Sequence, residues 1–206
     1  LLTVPAAIGL YFAAEPLATA IYLGGKFDRD DVSMTAATVA MLVTGLPAYV
    51  LVKVLTPGFF ARRDTRTPVW TAAISLTLNI ALNLLLIPRM GVAGLALASA
   101  LSAWANCAML YALLHRRGHF HLERDLLWRI ARIALSAAAM GAAIVALSPM
   151  LHTGFGGGIG ERVLSVALLV GAGALVYFGL AWLTGAIDRG KISMLTRKPA
   201  AQEPAP

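Results

Sequence analysis

Three arginines surround one acid in the stretch Pro-Gly-Phe-Phe-Ala-Arg-Arg-Asp-Thr-Arg-Thr-Pro, residues 57–68. Arg62, Arg63 and Arg66 flank Asp64, and Lys53 lies one helical turn upstream of Pro57. Side chains of these types do two things: they hold anionic groups, and they form an ion pair that makes and breaks. Further on, Ser75, Asn79 and Asn83 recur every four residues and so share one helix face. Gly94, Ala98, Ser102 and Asn106 repeat the pattern after a tight turn at Pro88–Gly91. Amides and hydroxyls at that spacing either bond two close-packed helices together or line a polar cavity wall.

Other groups offer less. The histidines at 115, 119, 121 and 152 lack partnering carboxylates or cysteines, so no metal site is expected. Gly154–Gly160 does not fit G-x-G-x-x-G and no strand precedes it, so it reads as a linker. Cys107 lies alone in an apolar block, as a small core residue. Glu15 sits beside Pro16 near a helix end, as an interfacial carboxylate. Lys53 either snorkels to the surface or faces an internal cavity that holds an anion. No catalytic constellation and no cofactor motif is present, and an enzyme is not expected.

The elements that carry these residues are membrane helices. The chain has 206 residues, 59% hydrophobic and 13% charged, with mean hydropathy +0.76. A soluble domain is about a quarter charged. Apolar blocks of about 20 residues match the hydrocarbon core of a bilayer. The expected fold is an all-α integral membrane protein of about six spanning helices: Leu1–Leu23, Met34–Leu55 with a kink at Pro47, Pro68–Ile87, Val92–Leu114, Leu126–Leu147 and Val163–Leu183. Thr67 and Pro68 read as N-cap and first residue of the third span. The loops are then Gly24–Ser33, Pro57–Pro68, Pro88–Gly91, His115–Asp125 and Ser148–Arg162, with a disordered tail over 184–206. The chain starts inside an apolar run with no signal-peptide pattern, as expected for a piece of a longer protein cut within a membrane segment.

Loop charge sets the orientation. Arg62, Arg63, Arg66, Arg116, Arg117, Arg124, Arg189, Lys191, Arg197 and Lys198 fall on one side, against Lys26, Arg29, Arg89 and Arg162 on the other. The richer side, with the C-terminus, is expected to be cytoplasmic. Arg129 and Arg132 share a face beside it, where phospholipid headgroups lie. The net charge of +7 therefore sets topology, and nucleic-acid binding is not expected.

Lys53-Val-Leu-Thr-Pro-Gly-Phe-Phe-Ala-Arg-Arg-Asp-Thr-Arg-Thr-Pro68 resembles the K-V-L-x-P-x-F-Y-A-x-x-D-x-[KR]-T-P stretch of the bacterial lipid II flippases, the MurJ/MviN family. Gly24-Gly25-Lys26-Phe27 is similar to that family's Y/R-G-x-F. Asn79–Asn83 and the run from Gly91 resemble its N-x-x-x-N and G-x-x-G-L-x-L-A hairpin. The likeness covers Leu1–Leu114 by motif and the last two helices by hydropathy.

The resemblance implies the multidrug/oligosaccharidyl-lipid/polysaccharide exporter superfamily, whose family members have about fourteen helices in two lobes. This chain would be the C-terminal part: residues 1–114 as four helices of the C-terminal lobe, 115–183 as two helices that form a groove for the lipid tail, and 184–206 as a cytoplasmic tail. The implied activity is outward movement of undecaprenyl-diphosphate-linked peptidoglycan precursor across the cytoplasmic (inner) membrane by alternating access. The implied partners are lipid II, membrane lipids and the remaining N-terminal helices. The cavity arginines and aspartate associated with that activity lie outside this chain, so alone it should not transport. Lys53, Arg62, Asp64, Arg66, Asn79 and Asn83 are the substrate-binding or gating candidates, with Asp64 pairing with Arg62 or Arg66 in one state and released in another. Alternatives are export of another polyprenyl-linked glycan, drug export, and a non-transporting membrane scaffold. A drug exporter would need intramembrane acids, for which Glu15 is the one candidate.

Overall fold

The computed structural model of the chain describes residues 3–23, 27–116, 124–155 and 159–183. Seven helices occupy them: α1 Thr3–Tyr22, α2 Arg29–Val43, α3 Leu46–Phe60, α4 Arg66–Met90, α5 Val92–Arg116, α6 Arg124–Phe155 and α7 Ile159–Leu183. Among the described residues six stretches are long and apolar enough to cross a membrane, with α2 and α3 together forming one of them, Arg29–Phe60. The chain is a multi-pass, all-helical membrane protein. Its outward faces carry large apolar side chains such as Leu84 and Leu175, as contact with lipid requires.

Several helix ends differ from expectation, and each difference has a cause. The span expected to kink at Pro47 is interrupted just before it, at Thr44–Gly45, where both residues keep helical backbone angles and Pro47, in the first turn of α3, offers no N–H to the Val43 carbonyl. Pro57 does not end a helix: α3 runs on to Phe60, and the basic loop shrinks to the residues between Phe60 and Arg66. Pro88 lies inside α4, which stops at Met90 because Gly91 takes φ +57°, ψ −134°. Pro149 lies inside α6, so the expected loop from Ser148 to Arg162 is helical except at the undescribed 156–158. Prolines are tolerated in membrane helices because neighbouring groups satisfy the freed carbonyls. The polar loop after α1 also ends early. Asp28 caps α2 by accepting from the Asp30 and Asp31 amides, and Asp31 returns the bond to the Asp28 N–H. Gly24–Lys26, the tail and the loop histidines 119 and 121 fall outside the described residues.

Packing uses small residues, because lipid offers no hydrophobic drive between helices. Alanines 14 and 18 of α1 meet Val32 and Ala36 of α2. A Cβ on Gly141 of α6 would lie 2.6 Å from the Phe12 ring of α1. Helices α6 and α7 join through Ile133, Ala137, Met140, Ile144, Leu169, Tyr177 and Ala181, with Val4 and Ile8 of α1 against them. Helix α5 packs on α3 through Leu55, Phe59, Ala103, Cys107 and Leu110. Cys107 is thus a buried core residue, as expected.

Helix ends that should share a membrane side do so. An Arg162 Nη donates 2.6 Å to the Leu23 carbonyl, joining the start of α7 to the end of α1. A cation at a helix C-terminus satisfies a carbonyl that has no intrahelical donor.

Candidate functional site

The loop between α3 and α4 is built by two interlocking caps. Helix α3 closes with the Asp64 N–H donating to the Phe59 carbonyl at 3.1 Å and the Arg63 N–H to the Phe60 carbonyl at 2.9 Å. This is a Schellman closure, and its left-handed residue is Arg63 at φ +59° where glycine is usual. Phe59, 1% exposed, anchors the closure against Leu110 and Leu114 of α5. Helix α4 then opens on Asp64, whose carboxylate accepts from the Thr67 N–H at 3.0 Å and the Thr67 hydroxyl at 2.7 Å. The expected cap, Thr67, is therefore a donor to the cap, one turn inside the helix. The acid wins because a carboxylate accepts from both the backbone and the hydroxyl and suits the positive end of the helix.

A side chain with a Cβ in the left-handed region costs about 1 kcal/mol relative to glycine. Arg63→Gly is therefore expected to raise the stability of the loop by about 0.5–1 kcal/mol, read as a higher melting temperature of the full-length parent.

The candidate cations surround this loop without entering a core. Arg62 and Arg66 are exposed, and Lys53 is exposed on α3. Pro57 lacks the N–H that would otherwise bond to the Lys53 carbonyl. Arg66 also lines a cleft with Arg116, at the facing ends of α4 and α5. Asp64 is half-buried and lies between these cations in the chain.

The second group of candidates forms a seam between α4 and α5. Ser75 donates its hydroxyl to the Ser102 carbonyl at 2.7 Å. The Asn79 amide donates to the hydroxyls of Ser102 at 3.2 Å and Ser99 at 3.4 Å. The Asn83 amide donates to the Asn79 Oδ1 at 3.1 Å. Asn83 Oδ1 is buried and accepts no hydrogen bond from the described residues, and the same holds for Asn106 Oδ1. The structure therefore brings Asn79 and Asn83 together, and keeps them apart from Lys53 and the loop arginines, which lie at one membrane end. Of the small and polar face expected on α5, Ser102 joins the seam and Gly94 supplies close approach to Leu86. Asn106 does not join it.

Interhelical bonds of this kind are worth about 0.6 kcal/mol each in membranes. Asn79→Ala removes two donations and leaves the Asn83 amide without its acceptor. It is expected to cost about 1–2 kcal/mol in a denaturation titration of the full-length parent, against about 0.6 kcal/mol for Ser75→Ala.

Three residues were not legible as candidates. The Trp104 indole N–H donates 2.9 Å to the Thr44 carbonyl at the α2/α3 break, and the Tyr49 hydroxyl donates 3.2 Å to the Ser99 carbonyl. At the same break a Cβ on Gly45 would lie 2.8 Å from Ala100 Cα. Gly45 two residues before Pro47 was the available signal. Helix α5 thus ties the seam to the interrupted span.

A third feature is apolar. Helices α1, α6 and α7 enclose a cleft of about 310 Å³, lined by residues including Ala6, Gly9, Leu10, Met140, Ile144, Val170, Ala174 and Phe178. Among the described residues no charged side chain lines it, so it suits hydrocarbon.

Comparison with known proteins matches residues 1–162 to the family model described as lipid II flippase MurJ. A probable lipid II flippase MurJ of Rhizobium tropici is 37% identical over 209 aligned residues, covering 100% of this chain and 38% of that protein. One from Vibrio cholerae is 35% identical, covering 89% of this chain and 35% of its own length. A solved structure of a lipid II flippase MurJ in an inward closed conformation superposes with a TM-score of 0.66 at 25% identity. It covers 88% of this chain and 35% of that one. The chain thus spans between about a third and two fifths of the length of these relatives.

Proposed function

The chain belongs to the lipid II flippase MurJ family, and from that membership we propose that it is the C-terminal part of a transporter that moves undecaprenyl-diphosphate-linked peptidoglycan precursor to the outer leaflet for cell wall synthesis. The observation that carries this reading is the family match over residues 1–162, which includes α1 to α6 and the basic loop. The protein is a transporter in this reading, and its chemistry is binding and conformational change, not bond-making.

The parts take the following roles. The α3/α4 loop, the end of α5 and the start of α6 lie on the cytoplasmic side of the inner membrane, by the excess of lysine and arginine there. Asp64 holds the loop closed at the start of α4, while Arg62, Arg66 and Lys53 give that entrance a positive field for a diphosphate-bearing substrate. Asn79 and Asn83 keep α4 and α5 moving as one unit. The apolar cleft between α1, α6 and α7 takes part of the polyprenyl tail. That assignment makes 115–183 a tail-binding unit that packs on α1, and leaves 1–114 as the moving lobe with the missing N-terminal helices as its counterpart.

The test is lipid II accessibility in cells depleted of their own flippase and supplied with the full-length parent. The readout is cleavage of the precursor by an enzyme confined to the outer face. Restored cleavage is expected. Normal insertion without restored cleavage would overturn the substrate assignment and favour another polyprenyl-linked glycan.

A further inference from the structure

We propose that the cleft between the first turns of α4 and the last turns of α5 binds the phosphodiester headgroup of an anionic glycerophospholipid. It encloses about 570 Å³ and is lined by Arg66, Thr67, Trp70, Met109, Leu113 and Arg116 among others. The chemistry is layered along the membrane normal. Arg66 and Arg116 stand at the helix ends, with neither guanidinium ion-paired or hydrogen-bonded among the described residues. Trp70 is 69% exposed one turn deeper, at the level where an indole suits the boundary between headgroup and hydrocarbon. Ile74, Met109 and Leu113 form an apolar wall beyond it.

A lipid phosphate between two guanidiniums, with its acyl chain along that wall, satisfies every layer at once. A free phosphate would use the arginines and leave the tryptophan and the wall exposed to water or lipid. The positive charge of two arginines is complemented by a phosphodiester and not by an apolar helix. The inference rests on the membrane reading of this end of the molecule and not on what the protein transports.

The experiment is native mass spectrometry of the full-length parent released from micelles doped with equal phosphatidylglycerol and phosphatidylcholine. Wild type is expected to retain phosphatidylglycerol in preference. Arg66→Gln with Arg116→Gln should cut that preference about twenty-fivefold, at about fivefold per arginine. Arg89→Gln, at the opposite membrane end, should leave it unchanged. Ala112→Trp keeps both arginines and fills the cleft, and it should lower retention to the same degree, which guards against misfolding of the double variant. Millimolar inorganic phosphate should not displace the lipid. An unchanged preference in either cleft variant overturns the proposal, as does full displacement by phosphate. Retention is read without transport, so a flippase assay that fails while retention holds removes the substrate assignment and leaves this site standing.

Discussion

Gly94→Val is expected to unfold the α4/α5 hairpin, with a loss of about 3 kcal/mol or more in the full-length parent. A Cβ at Gly94 would lie 2.7 Å from the Leu86 carbonyl oxygen and 2.9 Å from its carbon. Both are backbone atoms, so no rotamer change relieves the clash and α4 must move away from α5. The seam begins within two turns of that contact. A displaced α4 therefore weakens the Asn79 donations and the Ser75 bond to the Ser102 carbonyl together. The β-branch adds the ordinary helix penalty of a few tenths of a kcal/mol.

Two glycines separate this cause from others. At Gly91 nothing lies within 4 Å, and the cost of Gly91→Ala, about 1–3 kcal/mol, comes from its φ of +57° and ψ of −134° alone. At Gly171, inside α7, a Cβ also meets open space and φ is ordinary, so Gly171→Ala should be neutral or slightly stabilising. Denaturation of the full-length parent in mixed micelles gives the ranking. A Gly94→Val protein as stable as Gly171→Ala would mean that α4 and α5 do not approach as closely as this structure has them.

The contrast between these glycines also marks what a linear reading reaches. Run length and loop charge are properties of the chain itself, so the six spans were legible, and so was the four-residue spacing of Ser75, Asn79 and Asn83. Prolines misled because their local effect was weighed without the lipid. Pro57, Pro88 and Pro149 end helices in water more readily than in a bilayer, where an uncapped end is costlier than a bent helix. Pro47 signals an interruption near Thr44–Gly45, but not what holds it. It carries no charge, and what stabilises it comes from sixty residues away, through the Trp104 indole. Tyr49 reaches Ser99 in the same way, through a contact between α3 and α5 that no spacing encodes, and Ser99 in turn accepts from Asn79 of α4. Asp64 stands out in the sequence as the one acid in the loop, but its capping of Thr67 depends on the Schellman closure before it. That closure needs a left-handed Arg63, and arginine gives no sequence sign of that conformation.

Asp64 can therefore be tested for two roles with two substitutions in the complete protein. Asparagine is as good a cap as aspartate, so Asp64→Asn keeps one oxygen to accept from the Thr67 N–H, while its amide NH2 must donate to the Thr67 hydroxyl that now donates to the carboxylate. It removes the charge, which sits among Arg62, Arg63 and Arg66 in the chain, and leaves the backbone cap in place. Asp64→Ala removes charge and cap together and should lose about 1 kcal/mol of stability as well. In the proposed gate the carboxylate offsets the arginine field in one state more than in the other. A charge whose interaction differs between states by about 1.4 kcal/mol shifts their balance tenfold. Asp64→Asn is expected to insert and accumulate normally while outer-leaflet lipid II falls about tenfold in the accessibility assay. Asp64→Ala should transport as poorly and also melt lower. The order of the two variants is the informative quantity. If Asp64→Asn transports like wild type and only Asp64→Ala is impaired, the acid serves the helix start alone, and the charge dependence of the gate must be sought in Lys53 or in the arginines themselves.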